Sequence, residues 1–269
     1  MQELGIIARF PLGVYTGHKQ DGNADTFPEP VRLHAALVSS AAQGSLAFTN
    51  EKGELEPSKA SLKALKWLEE NPPDGIEIPE IHPVHKGSIR FTYRNITNIT
   101  VSSRPKEGQI SDGTALGGNI GWYWKQVPDD IANTLEQLCD DVPYLGESTS
   151  VTVLGSGDVS PNLILDLQGN PLEAVGRMLR IPAPGRTDAL IETYRENNPY
   201  NVPPVGKDKP KKKSVTYEYL TQVMYSTPEP EYPEVPWSRV ILLEIEGEEL
   251  PPEEHVALCV ALHRAIIAG

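Results

Sequence analysis

The spacing of hydrophobic residues predicts that the chain opens with one strand and two helices. An apolar run over 4–15, broken only by Arg9, is typical of a strand. Apolar residues then recur every three to four positions over 31–42 and again over 58–71, which is the spacing of a helix. Pro30 suits the first turn of the earlier helix. We expect later elements to pack on this opening unit.

The same reading predicts alternating strands and helices along the rest of the chain. Further strands are expected over 88–94, 148–154, 178–181, 214–225 and 237–246. Further helices are expected over 129–138, with Asp129 or Asp130 as its cap, and over 187–196 and 251–268. The glycine-rich stretch 104–121 is interpreted as a loop, and the proline-rich acidic stretch 227–236 as a domain boundary.

Charge is distributed very unevenly along the chain. The net charge is −13, which argues against a nucleic-acid partner when it is taken alone. Nine glutamates and a single arginine lie within 229–254, so this stretch carries −8 and the remainder only −5. Two segments are basic instead: the basic segment 81–106, which contains no acid, and the lysine segment 207–213. A polyanion responds to such local patches more than to the total charge.

The two basic segments supply the candidate RNA-binding residues. Their cations are Lys86, Arg90, Arg94, Arg104, Lys106, Lys207, Lys209, Lys211, Lys212 and Lys213. Arg90 and Arg94 share one face of the predicted strand, while Tyr93 and Trp122 offer rings on which bases can stack. The alternative for the lysine segment is a solvated linker.

Catalytic and cofactor chemistry is only weakly indicated. Tyr15, His18 and Lys19 follow the first strand, and such residues can activate a ribose 2′-hydroxyl and stabilise the phosphate in metal-free RNA cleavage. The alternative is a polar loop that contacts phosphate or nothing. The glycine clusters lack nucleotide-binding spacing, and the His82 and His85 pair lacks the further ligands of a closed structural zinc site, so no cofactor or metal is expected.

The remaining composition favours a cytoplasmic protein. No apolar stretch approaches the ~18 residues that a membrane-spanning helix needs. The two cysteines, Cys139 and Cys259, stand singly within predicted helices, and we interpret both as buried thiols in a reducing compartment.

Four phrases of the chain resemble one protein family in matching order. FPEPVRLHAALV, ALKWLEENPP, VPYLGESTSV and LRIPAPGRTDAL look like the CRISPR-associated RAMP subunit of type I-G (formerly I-U) effector complexes. In that family a Cas-five-type domain is fused to a Cas-six-type domain. The resemblance implies an α+β, ferredoxin-like (RRM-related) core with a basic hairpin or loop insertion. By this comparison residues 1–235 are the Cas-five-type domain, and 236–269 begin the Cas-six-type domain.

The resemblance also implies a function and partners. The Cas-five-type subunit holds the 5′ handle of crRNA within a Cascade complex, beside the repeating backbone subunit and the large subunit, and reaches target DNA through the complex. Arg104 and Lys106 match the family's basic segment before a Trp/Tyr strand, here GWYW. Arg186 in PAPGRTD also matches a family position, with either an RNA-binding or a structural role.

Three functions therefore remain as expectations. The first is a crRNA-binding structural subunit without nuclease activity, because the chain ends before the position where the family's nuclease histidine is expected. The second is a metal-independent endoribonuclease that uses Tyr15, His18 and Lys19 on CRISPR repeat RNA. The third is an acidic interaction scaffold that binds no nucleic acid.

Overall fold

The computed structural model describes most of the chain in full and a smaller part as backbone. Fully described residues are 1–19, 24–84, 113–167, 176–197, 215, 218–227, 251, 254–265. Backbone alone is described at 87–91, 106–110, 252–253 and 266–268. Contacts divide the chain into two compact units, Met1–Pro228 and Glu229–Gly269. The predicted boundary after residue 235 lies outside the described residues and stays a prediction.

Five helices and fourteen strands make up the described part of the chain. The helices are α1 (Pro30–Gln43), α2 (Lys59–Glu70), α3 (Asp129–Asp140), α4 (Arg186–Asn197) and α5 (Pro252–Ala268). The strands are β1 (Gln2–Arg9), β2 (Val14–Tyr15), β3 (Ala47–Thr49), β4 (Leu55–Pro57), β5 (Gly75–Glu77), β6 (Ile81–Val84), β7 (Gly87–Phe91), β8 (Lys106–Ile110), β9 (Gly113–Leu116), β10 (Ile120–Val127), β11 (Val153–Ser156), β12 (Leu163–Asp166), β13 (Gly176–Pro182) and β14 (Leu220–Ser226).

A seven-stranded sheet is the centre of the first unit. Its strand order is β11-β1-β10-β5-β12-β14-β13, and every pairing among the described strands is antiparallel. Helices α1 and α2 separate β1 from β5 along the chain, and α3 separates β10 from β11. The structure confirms the predicted α+β class.

The core lies between one face of this sheet and the helices. Ile6 of β1 is directly opposite Trp122 of β10, and Leu4 is opposite Trp124 on the same face. These side chains are buried together with apolar residues of helices α1, α2 and α3, including Leu37 of α1. Alternation along each strand sends every second side chain to this face, so the apolar residues of β1 and β10 form one continuous layer.

A short segment, residues 157–161, covers part of the other face of the sheet. It connects edge strand β11 to β12 and crosses three central strands, each of which has a glycine beneath it. A Cβ added at Gly5 would lie 2.2 Å from the Gly157 carbonyl oxygen, and one at Gly121 would lie 2.7 Å from Val159. One at Gly75 would lie 2.5 Å from Pro161. The absence of side chains at these positions therefore lets this covering segment lie directly on the sheet.

The helices agree with the sequence prediction, with one correction at a helix end. Helices α1, α2, α3, α4 and α5 lie within a few residues of the predicted ranges. The Ser58 side chain caps α2 by accepting a 3.1 Å hydrogen bond from the Ser61 backbone N–H. The predicted cap of α3 is wrong: Pro128 occupies that position, and Asp129 and Asp130 lie in the first turn instead.

The strands differ more from the prediction. The run over 4–15 divides into β1 and β2, because the chain turns at Gly13, which has φ of 67°. Residues 104–121 are not a loop, since they contain β8, β9 and the start of β10. Strand β11 begins only at Val153, and β14 begins only at Leu220. The predicted strand over 237–246 lies outside the described residues.

None of the helices in the described part of the chain is long and apolar enough to cross a bilayer.

Candidate nucleic-acid interface

An antiparallel arm is inserted in the chain between sheet strands β5 and β10, and its described residues are 81–84, 87–91, 106–110 and 113–116. Its two sides are β6 with β7 and β8 with β9. Ile81 pairs with Leu116 and Val84 with Gly113 in the first ladder. Gly87 pairs with Ile110 and Phe91 with Lys106 in the second ladder. Gly87 lies three residues after Val84, and its partner Ile110 lies three residues before Gly113, the partner of Val84. The two ladders therefore have the same register.

The root of the arm is attached to the loop that follows the first strand. β9 pairs with β2, which joins Thr114 to Tyr15 in register. The Leu116 backbone N–H donates a 2.9 Å hydrogen bond to the Gly13 carbonyl oxygen. Gly113 lies so close to this loop that a Cβ there would be 2.8 Å from the Tyr15 carbonyl oxygen. The arm is therefore fixed at its base by backbone contacts.

The register of the arm places two of the predicted cations. Arg90 of β7 is directly opposite Glu107 of β8, while Lys106 is opposite Phe91. Adjacent register positions belong to opposite faces of a ladder, so Arg90 and Lys106 belong to different faces. The interpretation of Lys106 as a loop residue was wrong, because Lys106 begins β8 and pairs with Phe91 of β7. Lys86, Tyr93, Arg94 and Arg104 lie outside the described residues.

Trp122 is not available for stacking. Its side chain is fully buried in the core beneath the helices, and its indole N–H has no hydrogen-bond partner in the described structure. The prediction that it offers a ring to RNA bases is wrong, because alternation along β10 directs residues 120, 122 and 124 to the helix face.

Arg186 is a buried structural residue that contacts the chain after the lysine segment. Only 5% of it is exposed, and its Nη1 donates to the carbonyl oxygens of Val215 at 3.1 Å and Glu218 at 2.6 Å. Burial lowers the pKa of its guanidinium, the charge of Arg180 lowers it further, and Glu69 opposes both. Arg186 thus anchors the chain just after the lysine segment. Lys207, Lys209, Lys211, Lys212 and Lys213 themselves lie outside the described residues.

The predicted catalytic trio is only partly brought together. The Tyr15 hydroxyl is buried, and a Cβ at Gly17 would lie 2.2 Å from it. Burial raises the pKa of this phenol well above its usual value, and the nearby Arg32 charge opposes that shift. The His18 ring is held by Glu147, with 2.6 Å between Nδ1 and Oε1, and Lys19 is exposed. Tyr15 therefore cannot reach a substrate on which His18 and Lys19 act.

A network of charged side chains fixes the loop that follows the first strand. The sequence analysis did not predict this network. The buried Asp25 carboxylate accepts from Arg32 Nε at 2.8 Å and lies 3.4 Å from Arg180 Nη2. Arg180 also donates from Nε to Glu29 at 2.6 Å, and Arg32 donates to the His18 carbonyl oxygen at 2.5 Å. The network joins the loop to α1 and β13. Glu29 and Arg32 lie in the segment FPEPVRLHAALV, and Arg180 lies in LRIPAPGRTDAL. The family resemblance of these two segments was the one feature of the sequence that could have pointed to the network.

The structure describes one member of the His82 and His85 pair and both cysteines. Within the described residues, no three His, Cys, Asp or Glu side chains come together as a metal site. His82 pairs with Glu80 at 3.1 Å, and His85 lies outside the described residues. Cys139 is buried as expected, whereas Cys259 is exposed on α5, so its interpretation as a buried thiol is wrong.

Comparison with protein-family models and with curated proteins finds no match to this chain.

Proposed function

We propose that the chain is an RNA-binding structural subunit of a type I CRISPR effector complex and that it holds the 5′ handle of crRNA. The observation that carries the proposal is the arm, whose two described antiparallel ladders share one register and whose sequence contains the acid-free basic segment. A hairpin rooted on a sheet can present cations to a phosphate backbone.

The strand order supports a ferredoxin-like core. Counting only β1, β5, β10 and β11, the order in the sheet is fourth, first, third, second, with every pair antiparallel. Helices lie between the first and second and between the third and fourth of these strands. This order and these helices match the βαββαβ arrangement that ferredoxin-like and RRM domains share, which supports the proposed core. The arm is then an insertion between the second and third strands of that core.

The covered sheet face bears on how such a domain would bind RNA. RRM domains stack bases on the open face of the sheet, above its central strands. Here that position over β1, β10 and β5 is occupied by the covering segment, where the Gly157 N–H donates a 3.0 Å hydrogen bond to Gly5. We therefore assign RNA contact to the arm and to the lysine segment rather than to the sheet.

The proposal includes the surroundings of the protein. Its partners are crRNA, the repeating backbone subunit and the large subunit, with target DNA met through the complex, in the cytoplasm. No cofactor is part of the proposed role. Residues 236–269 are proposed as the start of a Cas-six-type domain, and the described portion of that range is helix α5.

Filter binding with labelled repeat RNA tests the proposal. Replacing Arg90, Arg94, Arg104 and Lys106 with Ala should weaken binding and flatten its salt dependence. Each phosphate of single-stranded RNA that the variant no longer neutralises should reduce the log–log slope by ~0.7.

The matched control removes four cations elsewhere. Lys52, Lys59, Lys63 and Lys66 are exposed or paired with acids on the surface, as Lys63 is with Asp130 at 2.6 Å. Their replacement with Ala changes the net charge equally and should leave the slope unchanged. Equal affinity and slope in wild type and the arm variant would contradict the proposal, as would equal losses in both variants.

A further inference from the structure

Helix α5 carries a row of side chains that can bind a soft divalent cation. His255, Cys259 and His263 follow one another at intervals of four residues. Residues four apart on a helix are neighbours, with about 5–6 Å between their Cβ atoms. All three line one shallow depression of about 370 Å³ on the helix surface, beside Val256 and Val260. The helix therefore presents a thiol with an imidazole on either side of it.

Cys259 is accessible where the other cysteine is not. His255, Cys259 and His263 are all exposed, and Val256 beside them is 71% exposed. Cys139 lies in the core, where burial raises the pKa of its thiol to about 12. Thiolates are the form that binds metals, so Cys259 is the cysteine suited to that role.

We propose that α5 binds one soft divalent cation, such as Zn²⁺, through Cys259 Sγ and the imidazole of a flanking His255 or His263. Thiolate and imidazole are the preferred ligands of this ion, and a pair four residues apart on a helix can hold it from one side. Because no three such ligands converge in the described structure, the chain supplies two ligands and water completes the coordination. The thiol releases its proton to solvent when it binds the cation.

Titration of the full chain with Co²⁺, in the presence of a phosphine reductant, tests the site. We expect one Co²⁺ per chain, a thiolate-to-cobalt charge-transfer absorption, and loss of that absorption when Zn²⁺ is added. Cys259→Ser should abolish the absorption. The double variant His255→Ala/His263→Ala should weaken binding by about tenfold or more, which corresponds to about 1.4 kcal/mol. Each single histidine variant keeps one chelate and should lose less.

Two variants act as controls. Cys139→Ala removes the other thiol, and Arg264→Gln alters a residue of the same depression that is a poor metal ligand; both should bind Co²⁺ as the wild type does. Far-ultraviolet circular dichroism of each variant verifies that the helix content is unchanged. Absence of the absorption in wild type, its survival in Cys259→Ser, or undiminished affinity in the double histidine variant would each overturn the proposal.

Discussion

Glu69 of α2 and Thr187 of α4 are joined by a 2.6 Å hydrogen bond, in which the Thr187 backbone N–H donates to the buried Glu69 carboxylate. The same carboxylate accepts a 2.9 Å hydrogen bond from the Gly185 N–H. A side chain of one helix therefore satisfies the free N–H groups at the start of another, where a negative charge also suits the helix dipole.

Removal of this carboxylate should destabilise the first unit. Glu69→Ala leaves the buried Thr187 N–H and the partly buried Gly185 N–H without this partner, and we expect a loss of about 3 kcal/mol in the free energy of unfolding. Glu70 is the adjacent, exposed glutamate, and Glu70→Ala should change stability by less than about 0.5 kcal/mol. Urea unfolding of both variants measures the difference. Equal midpoints for Glu69→Ala and wild type would show that the cap is dispensable.

Stability should fall as the pH is lowered because of His34. Burial first, and then the charge of Arg186, lower the pKa of its imidazole to about 3, against 6.5 in the unfolded chain, while a hydrogen bond to the Leu65 backbone opposes this. Below pH 6.5 the unfolded state takes up a proton that the folded state does not. The contribution is therefore fully present above 6.5 and is lost progressively towards pH 3, at about 1.4 kcal/mol per pH unit at most.

Comparison of variants isolates this contribution. His34 Nε2 lies 3.2 Å from Thr187 Oγ1 and 3.9 Å from Glu69, so a glutamine there keeps a polar group without titrating. His34→Gln should have a shallower dependence of unfolding free energy on pH between 6.5 and 5. His82→Gln, at an exposed position, should follow the wild type. Parallel curves for wild type and His34→Gln would refute the assignment.

Replacement of a glycine beneath the covering segment should destabilise the protein, whereas replacement of a glycine outside it should not. A Cβ at Gly121 would lie 2.7 Å from Val159, whereas one at Gly155 on the same face would have nothing within 4 Å. Gly121→Ala should therefore cost about 2 kcal/mol in unfolding free energy, as overpacked sites do. Gly155→Ala should change it by less than about 1 kcal/mol. If the contact is the cause, adding Val159→Ala to Gly121→Ala should recover part of the loss, and strict additivity would count against it.

We expect the purified chain not to cleave repeat RNA in the absence of metal ions. The buried Tyr15 hydroxyl is separated from solvent by glycine backbone, so His18 and Lys19 lack the third group of the proposed mechanism. Gel analysis of labelled repeat RNA should show intact substrate. Cleavage that leaves a 2′,3′-cyclic phosphate and disappears in His18→Ala would establish the ribonuclease alternative instead.

The spacing of hydrophobic residues was sufficient to predict the helices, because the buried face of a helix is formed by apolar residues of that helix alone. Leu65 and Leu68 recur at helical spacing whatever lies opposite them, and both are buried in α2. Periodicity alone did not predict strand β10, which was expected only from the family resemblance at GWYW, because Gly117, Gly118 and Gly121 interrupt the alternation that marks a strand. Those glycines serve contacts with residues distant in sequence, such as Gly121 with Val159, which no local pattern records.

The candidate site was predictable to a smaller extent for the same reason. Charge segregation identified the basic segment, since a run of cations without acids is a property of adjacent residues. The burial of Trp122 and of Arg186 depends instead on partners elsewhere in the chain. Glu107 opposite Arg90 is likewise set by the register of two strands, and a single strand cannot reveal it.

The shared register of the arm restricts how its length can change. Removing one residue from a single side would break every pairing beyond that point. Removing one residue from each side between the two ladders would restore the pairing but transfer Arg90 and the other paired residues of β7 and β8 to the opposite face. Only the loss or gain of two residues on each side preserves both pairing and face, and each such change alters the reach by about 7 Å. Between the base of the arm and the β7–β8 ladder, natural variants should therefore differ in length by multiples of four residues.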